Sequence, residues 1–295
     1  MSRKPLVPAT TLYFRVTGRN IMTLFEPNKN TLDFISTYKL FEDDVVQQIQ
    51  LQHRLELVAA FDIQKGMHVL EIGCGQGDTT AALADAVGED GDVVAIDIAS
   101  RDYGAPLTLG QATDRIKNSA LGRRIQFHFE TDFSSFELTE TFDAVVLSHC
   151  SWYFKRPGEL QQYFLKIRGM TRKLCFAEWD LDFTNLQQRS HFYAASILAL
   201  YSNFVDNDGN IQNLFDKIQI QRMLEQVGYR IDKQSTINAT YLQDGQWEKD
   251  YANSIRSEFH GVSDMLQTMI NSYYELMNVP NGDAQSLNSF IICTK

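Results

Sequence analysis

An acid, Glu71, stands two residues before three glycines at alternate positions. Glycine lets the backbone turn sharply, and it lets a ligand lie against bare main chain while the amides of a following helix point at it. The pattern therefore predicts a turn that binds a small ligand. The residues expected to contact that ligand are Glu71, Gly73, Cys74, Gly75, Gln76 and Gly77.

The flanking sequence indicates a strand before this turn and a helix after it. Val69 to Ile72 is a short, mostly apolar run, and residues 78–87 are rich in helix formers and end at Gly88. We expect a buried strand and then a helix, with a hydroxyl or carboxylate side chain as its N-cap and glycine as its C-cap.

The spacing of the glycines separates two kinds of ligand. Dinucleotide folds use G-x-G-x-x-G, because a pyrophosphate must lie at the helix N-terminus. This chain has G-x-G-x-G after an acid. A carboxylate repels a pyrophosphate but attracts a ligand that carries an ammonium and a sulfonium. In acid, spacing and strand–helix context, the chain resembles the small-molecule type of class I S-adenosylmethionine (SAM)-dependent methyltransferases.

This resemblance implies an α/β fold, a Rossmann-like, doubly wound sheet of seven strands with the last strand antiparallel. Residues 1–42 are expected to form an N-terminal lid segment, and residues 43–295 a methyltransferase domain. Helical cap insertions are expected at about 185–213 and 240–285, with one long helix from Trp247 to Met277 in the second. SAM is the implied cofactor.

The second predicted strand, Val93 to Ile96, ends in Asp97, twenty residues after Gly77. An acid at this position suits hydrogen bonds to both ribose hydroxyls of a nucleoside. In the family that the chain resembles, the equivalent acid does this and the next residue, here Ile98, packs on adenine. The loop of residues 100–106 is longer than a tight connection, so we expect it near the adenosine or the substrate.

After the third predicted strand, Thr131, Asp132 and Phe133 are expected at the cofactor. The resemblance implies that Asp132 accepts the adenine amino group. The alternative is that Asp132 only caps the following turn.

The fourth predicted strand ends in Ser148 and His149, followed by Trp152 and Tyr153. In a doubly wound sheet, ligands bind outside the carboxyl ends of the strands where the strand order reverses. Ser148 and His149 are therefore expected at the cofactor, and His149 is also the candidate catalytic base. Trp152, Tyr153 and Tyr193 are expected to bind the substrate, although the two aromatics after His149 could equally be core residues.

The segment His53-Arg54-Leu55 resembles a His-Arg-Leu that precedes the first motif in quinone-biosynthesis methyltransferases. Two interpretations of Arg54 stay open. It is a surface charge on an amphipathic helix, or it contacts the cofactor carboxylate.

Composition limits the partners. The net charge of −10 argues against a nucleic-acid substrate, and no apolar run approaches the roughly 20 residues that span a bilayer. The start of the chain lacks the apolar core of a signal peptide. The four cysteines lack metal-type spacing, so we expect no metal site, reduced thiols and a cytoplasmic location. We expect a small-molecule acceptor, no nucleic acid and no membrane, with a homodimer left open.

The expected function is SAM-dependent transfer of a methyl group to a small organic acceptor in secondary metabolism, through an O, N, C or S atom, releasing S-adenosylhomocysteine. One alternative is a methyltransferase-like cyclase or pericyclase of natural-product biosynthesis, which keeps SAM without transferring the methyl. A second is a non-catalytic SAM-binding protein. A nicotinamide dehydrogenase is disfavoured by the glycine spacing.

Overall fold

The computed structural model describes residues 25–137, 141–207, 209–280 and 284–295. Most of the expected lid segment, residues 1–24, lies outside the described residues. Its remaining part includes the first described helix, which packs beside the second.

Helices and strands alternate through most of the described chain. The helices are α1 (Lys29–Tyr38), α2 (Val45–Phe61), α3 (Asp78–Val87), α4 (Leu109–Lys117), α5 (Pro157–Arg168), α6 (Arg189–Phe204), α7 (Lys217–Gln226), α8 (Asp244–Ser254) and α9 (Asp264–Met277). The strands are β1 (His68–Ile72), β2 (Asp92–Ile96), β3 (Ile125–His128), β4 (Ala144–Ser148), β5 (Leu174–Trp179), β6 (Ile231–Ile237) and β7 (Ser289–Thr294).

The seven strands form one sheet in the order β3-β2-β1-β4-β5-β7-β6. The first five are parallel, and β7 runs antiparallel between β5 and β6. The predicted fold class is therefore confirmed. The order reverses between β1 and β4, so the carboxyl ends of these two strands flank the crevice where such folds bind ligands.

Both faces of the sheet are covered, which explains why the central strands are continuous apolar runs. Every residue of β4 is buried. In β1, Leu70 and Ile72 pack in one core, whereas Val69 packs in the other with α2 and α3. A strand buried on both faces has no solvent side to mark with polar residues.

Two details of the sequence-based prediction are wrong. The N-cap of α3 is Gly77, and no side chain caps this helix. Its first amides are therefore not covered by a cap side chain. The single helix expected from Trp247 to Met277 is two helices, because the chain turns at Gly261 with φ of 77° and Ser263 caps α9 by accepting the Leu266 amide.

The helices expected as insertions pack on one another. The Tyr274 hydroxyl of α9 donates to the Ala252 carbonyl of α8 at 2.7 Å, and Ser190 of α6 donates to the Met277 carbonyl at 2.8 Å. Within the described ranges, no helix is long and apolar enough to cross a membrane.

Candidate functional site

The turn after β1 needs its glycines. Gly73, Gly75 and Gly77 have φ values of 80°, 51° and 88°, in the left-handed region that favours glycine. The amides of Gly73 and Cys74 both donate to the Ile96 carbonyl, at 2.9 and 3.1 Å, which ties the turn to the end of β2.

The three glycines differ in what surrounds them. A Cβ at Gly73 would lie 2.7 Å from the Cβ of Cys150, and one at Gly77 would lie 2.8 Å from Ile116. A Cβ at Gly75 would meet nothing within 4 Å. The turn therefore packs tightly at both ends and faces open space at its middle, as a backbone cradle for a ligand requires.

Asp97 lies against this opening. One carboxylate oxygen accepts the Gly75 amide and the other accepts the Ala99 amide, both at 2.8 Å. A carboxylate has about four acceptor sites, so lone pairs remain for a ligand. The next side chain, Ile98, is 69% exposed, an unusual state for isoleucine.

Arg54 extends from α2 with an unsatisfied nitrogen. Its Nη1 is buried without a hydrogen-bond partner, and its Nη2 is 3.4 Å from the Gln50 amide oxygen. The Arg54 charge acts on Glu71, on Asp78 and on His149, so the guanidinium lies near all three. This position disfavours the interpretation of Arg54 as a solvated surface charge.

Glu71 does not present a charge to the opening. Its side chain is buried, and the Thr80 hydroxyl of α3 donates to it. Burial raises the pKa of Glu71 to about 8, and the Thr80 hydrogen bond opposes the rise. At neutral pH the group is mostly the neutral acid. The expected attraction between a Glu71 carboxylate and a cationic ligand is therefore not supported.

The long loop after β2 reaches the glycine turn. The Gln76 side-chain amide donates to the Leu107 carbonyl at 3.0 Å. Tyr103 acts electrostatically on Tyr153 beyond β4, so this loop lies close to both halves of the crevice.

The residues after β3 are engaged in their own turn. Asp132 accepts the Ser134 amide and the Tyr163 hydroxyl, each at 2.8 Å, and the Ser134 hydroxyl at 2.6 Å. The hydrogen bonds from Ser134 lower the pKa of Asp132. Thr131 donates its amide to the Asp97 carbonyl, and Phe133 is buried in the core. The geometry favours a turn-capping role for Asp132.

His149 has a strained backbone and a buried side chain. Its φ of 51° lies in the left-handed region, where a non-glycine residue costs about 1–3 kcal/mol. Its amide donates to the Ala177 carbonyl of β5 at 2.9 Å. Burial lowers the pKa of His149, and the neighbouring Glu178 opposes that shift. Ser148 is buried next to it, and its hydroxyl has no hydrogen-bond partner.

The three expected substrate residues lie in different surroundings. Trp152 is buried in the core, and its carbonyl accepts the Gln212 amide at 2.8 Å, which favours the packing interpretation. Tyr153 is 50% exposed next to the crevice. Tyr193 packs in the helical layer against Phe192 and Tyr273, with ring centroids 5.3 and 5.2 Å away.

Sequence reasoning missed Glu178 and Ser289. Glu178 is a buried acid at the end of β5, and Ser289 begins β7 and contacts both His53 and His149. An acid inside an apolar run is a signal for Glu178. No local signal marks Ser289, whose partners are 236 and 140 positions away.

Comparison with known proteins finds a matching family and a similar solved structure. Residues 69–173 match the family described as methyltransferase domain. The crystal structure of a cyclopropane-fatty-acyl-phospholipid synthase-like protein from Lactobacillus casei is 32% identical with a TM-score of 0.82, and the match covers 90% of this chain and 99% of that one.

Two further proteins match less closely, one over a shorter stretch and one at lower sequence identity. Methyltransferase phomM' from Diaporthe leptostromiformis is 32% identical over 158 residues, which cover 46% of this chain and 41% of the relative. The chain therefore spans about two fifths of that curated relative. A structure of mycolic acid cyclopropane synthase CmaA1 complexed with SAH and CTAB has 13% identity and a TM-score of 0.52 over 89% of this chain and 94% of that one, which shows the fold alone.

Proposed function

Because this chain belongs to the class I S-adenosylmethionine-dependent methyltransferase family, we propose that it transfers a methyl group from SAM to a small organic acceptor. The family confirms the sequence-based resemblance and, with it, SAM as the cofactor. The reaction, the acceptor and the role of each site residue are proposals.

The observation that carries the proposal is the opening at Gly75 with Asp97 across it. The backbone there has room that a side chain at Gly75 would take, and the Asp97 carboxylate is held by two amides at 2.8 Å. A carboxylate fixed in this way can accept hydrogen bonds from vicinal ribose hydroxyls. The exposed Ile98 beside it offers an apolar surface for adenine.

Arg54 provides a hydrogen-bond donor for the amino acid end of the cofactor. SAM has an amino acid end, and its carboxylate suits a guanidinium whose buried Nη1 lacks a partner. A buried, unsatisfied donor is costly, so a ligand that pairs with it gains affinity. We therefore assign Arg54 to the methionine carboxylate and Asp97 to the ribose.

In this proposal the residues around the crevice align the acceptor and exclude water, and they do not react themselves. When bound, SAM supplies an electrophilic methyl group, whose carbon–sulfur electron pair stays with sulfur as the acceptor takes the methyl. The strand ends align the acceptor and exclude water, and alignment alone contributes a large part of the rate when the electrophile is already activated. Tyr153, half exposed beside the crevice, is the proposed contact to the acceptor. A catalytic role for His149 stays a prediction.

We propose that the choice of acceptor depends on the helices α6, α8 and α9 and on the N-terminal segment. The strand ends are occupied by cofactor residues, whereas these helices pack together and carry large aromatic side chains such as Tyr193 and Tyr273. A role in secondary metabolism and a cytoplasmic location are further parts of the proposal. The location is supported by four cysteines that are all free thiols.

Incubation with SAM labelled in the methyl group tests the proposal. We expect label in a small-molecule product when the protein is mixed with fractionated cell extract, and much less label with Asp97→Ala at the same low SAM concentration. An unlabelled product that still requires SAM would instead support the cyclase alternative. SAM binding without any product across acceptor classes would support a binding protein.

A further inference from the structure

A buried serine joins two imidazoles behind the crevice. The Ser289 hydroxyl oxygen lies 2.9 Å from Nε2 of His53 and 3.1 Å from Nε2 of His149. Ser289 is fully buried, as is His53. All three pack around Trp179, which pairs with Ser289 in the sheet and whose ring centroid lies 4.4 Å from that of His149.

The other nitrogen of His149 faces an acid. Its Nδ1 lies 3.3 Å from Oε1 of Glu178, a contact that is electrostatic, because it lacks the alignment of a linear hydrogen bond. The Glu178 carboxylate accepts the amide and the hydroxyl of Ser151, at 3.0 and 2.7 Å, and the amide of Trp179 at 3.0 Å. These donors hold the carboxylate in place against the imidazole.

A hydroxyl has one hydrogen, so Ser289 cannot donate to both imidazoles. Its oxygen could accept from both rings, but the buried hydroxyl hydrogen would then lack an acceptor, because the two Nε2 atoms are its only hydrogen-bond partners among the described residues. One Nε2 therefore accepts from Ser289, and the other carries a hydrogen and donates to it. The Glu178 carboxylate favours a hydrogen on Nδ1 of His149, which leaves Nε2 of that ring as the acceptor. His53 must then donate from its own Nε2.

We propose that Ser289 is a positioning residue that joins His53 and His149 by hydrogen bonds running in one direction, from His53 through Ser289 to His149, whose other nitrogen faces the Glu178 carboxylate. These hydrogen bonds hold His149 as the neutral Nδ1–H tautomer, in which the lone pair of Nε2 accepts the Ser289 hydroxyl. His149 then has no free lone pair for a proton of the acceptor. This inference rests on the proposed function, and it favours acceptors whose nucleophilic atom is unprotonated near neutral pH, because such acceptors need no proton removed by His149.

The surroundings keep both rings neutral. Burial lowers the pKa of His53, and the charges of Arg54 and His149 lower it further. Burial also lowers the pKa of His149, and Arg54 acts in the same direction, whereas Glu178 and Asp244 oppose it. Both imidazoles therefore have pKa values below the ordinary 6.5, and both are neutral at pH 7.

Long-range ¹H–¹⁵N correlation spectra of histidine-labelled protein test this directly, because they distinguish the two tautomers and the protonated ring. In the wild type at pH 7.5 we expect His149 as the Nδ1–H form and His53 as the Nε2–H form. His191 is an internal reference, since its Nδ1 accepts the Leu287 amide at 2.8 Å and must therefore be unprotonated.

Ser289→Ala should move the two rings in opposite directions. His149 loses a donor that favours its neutral form, so its pKa should rise. His53 loses the acceptor of its Nε2 hydrogen, so its pKa should fall and its tautomers should mix. Ser289→Thr keeps a hydroxyl and should restore the wild-type pattern.

Ser286→Ala is the matched control. Ser286 is equally buried, accepts the Gly245 amide at 2.8 Å and donates to the Leu242 carbonyl at 2.9 Å. Among the described residues, no hydrogen bond joins its side chain to either imidazole. It should leave both histidine pKa values unchanged.

A wild-type His149 that is protonated at pH 7.5, or that carries its hydrogen on Nε2, would overturn the proposal, and so would parallel pKa shifts in Ser289→Ala. Calorimetry with SAM on the same proteins separates this inference from the proposed function. If the wild type did not bind SAM, the proposed function would be refuted. The histidine tautomers would still show whether His53, Ser289 and His149 are hydrogen-bonded in the proposed order.

Discussion

The two sides of the crevice are built in opposite ways. The side formed by β1 and β2 is open: Gly75 faces empty space, Ile98 is exposed and Arg54 keeps an unpaired nitrogen. The side formed by β4, β5 and β7 is closed: the side chains of His149 and Glu178 are only 8% and 2% exposed. The open side presents its groups to a ligand, whereas the closed side keeps its polar groups, including the unpaired Ser148 hydroxyl, inside the protein.

This difference suggests that the open side binds the cofactor and the closed side positions the acceptor. Free donors and acceptors on the open side provide binding energy for the cofactor, because each pairs with a ligand group at little cost of rearrangement. On the closed side, mutual contacts fix the geometry of the wall that the acceptor meets. Substitutions on the open side should therefore change affinity for SAM, and those on the closed side should change protonation or turnover.

The largest expected effect concerns Glu71, which lies beneath the open side. Its pKa is about 8 in the folded protein against 4.5 unfolded, so the folded state binds the extra proton. The free energy of unfolding of the wild type should therefore fall as the pH rises from 5 to 8. Because the amide in Glu71→Gln does not titrate, the wild type should lose about 3–4 kcal/mol of stability relative to this variant over that range. Urea unfolding across this range measures the loss.

The exposed Glu89→Gln is the control for that experiment and should show no such trend. Parallel pH profiles of wild type and Glu71→Gln would mean that Glu71 is ionised in the fold.

Asp97→Ala should weaken SAM binding by roughly 2–4 kcal/mol, or about 30- to 1000-fold. The change removes the acceptor for the ribose hydroxyls and the partner of the Gly75 amide. Calorimetry gives the affinity, and circular dichroism confirms the fold. Binding within threefold of wild type would place the ribose elsewhere.

Arg54→Ala should weaken SAM binding by about 1.5–3 kcal/mol, roughly 10- to 100-fold, because hydrogen bonds to charged groups are worth that much. A ligand without the carboxylate, 5'-methylthioadenosine, should bind the variant and the wild type equally. Arg256→Ala, which removes an exposed pair with Glu275, is the control. An equal loss for both ligands would contradict the assignment of Arg54 to the carboxylate.

His149→Asn should have the smallest effect, a fall in kcat of tenfold or less with the shape of the pH profile unchanged. Asparagine tolerates the left-handed backbone at this position, so the change removes mainly the imidazole. A general base would contribute about 10²–10⁴. A loss of that size, together with loss of the pH dependence near neutrality, would make His149 the base.

The open side could be predicted from the sequence because its determinants are local. Three glycines in a five-residue stretch adopt positive φ, and Asp97 follows its strand directly, so spacing alone indicates both. The protonation of Glu71 could not be predicted in this way. Its position in the motif suggested a charge, but burial against α3 decides its state.

The closed side could not be predicted because its contacts join distant parts of the chain. Ser289 meets His53 across 236 positions and His149 across 140, and no pattern within one strand reveals such a meeting. His149 was singled out for its chemistry alone. Its partners, which determine whether that chemistry is available, depend on the strand order β4-β5-β7.

A pair of isosteric substitutions, one on each side of the crevice, distinguishes a side that binds SAM from a side that positions the acceptor. Asp97→Asn and Glu178→Gln each replace a carboxylate by an amide, and SAM is titrated into both by calorimetry. We predict a loss of affinity of at least about tenfold for Asp97→Asn and a change within threefold for Glu178→Gln. Equal losses, or a larger loss for Glu178→Gln in a folded protein, would contradict the division between a binding side and a positioning side.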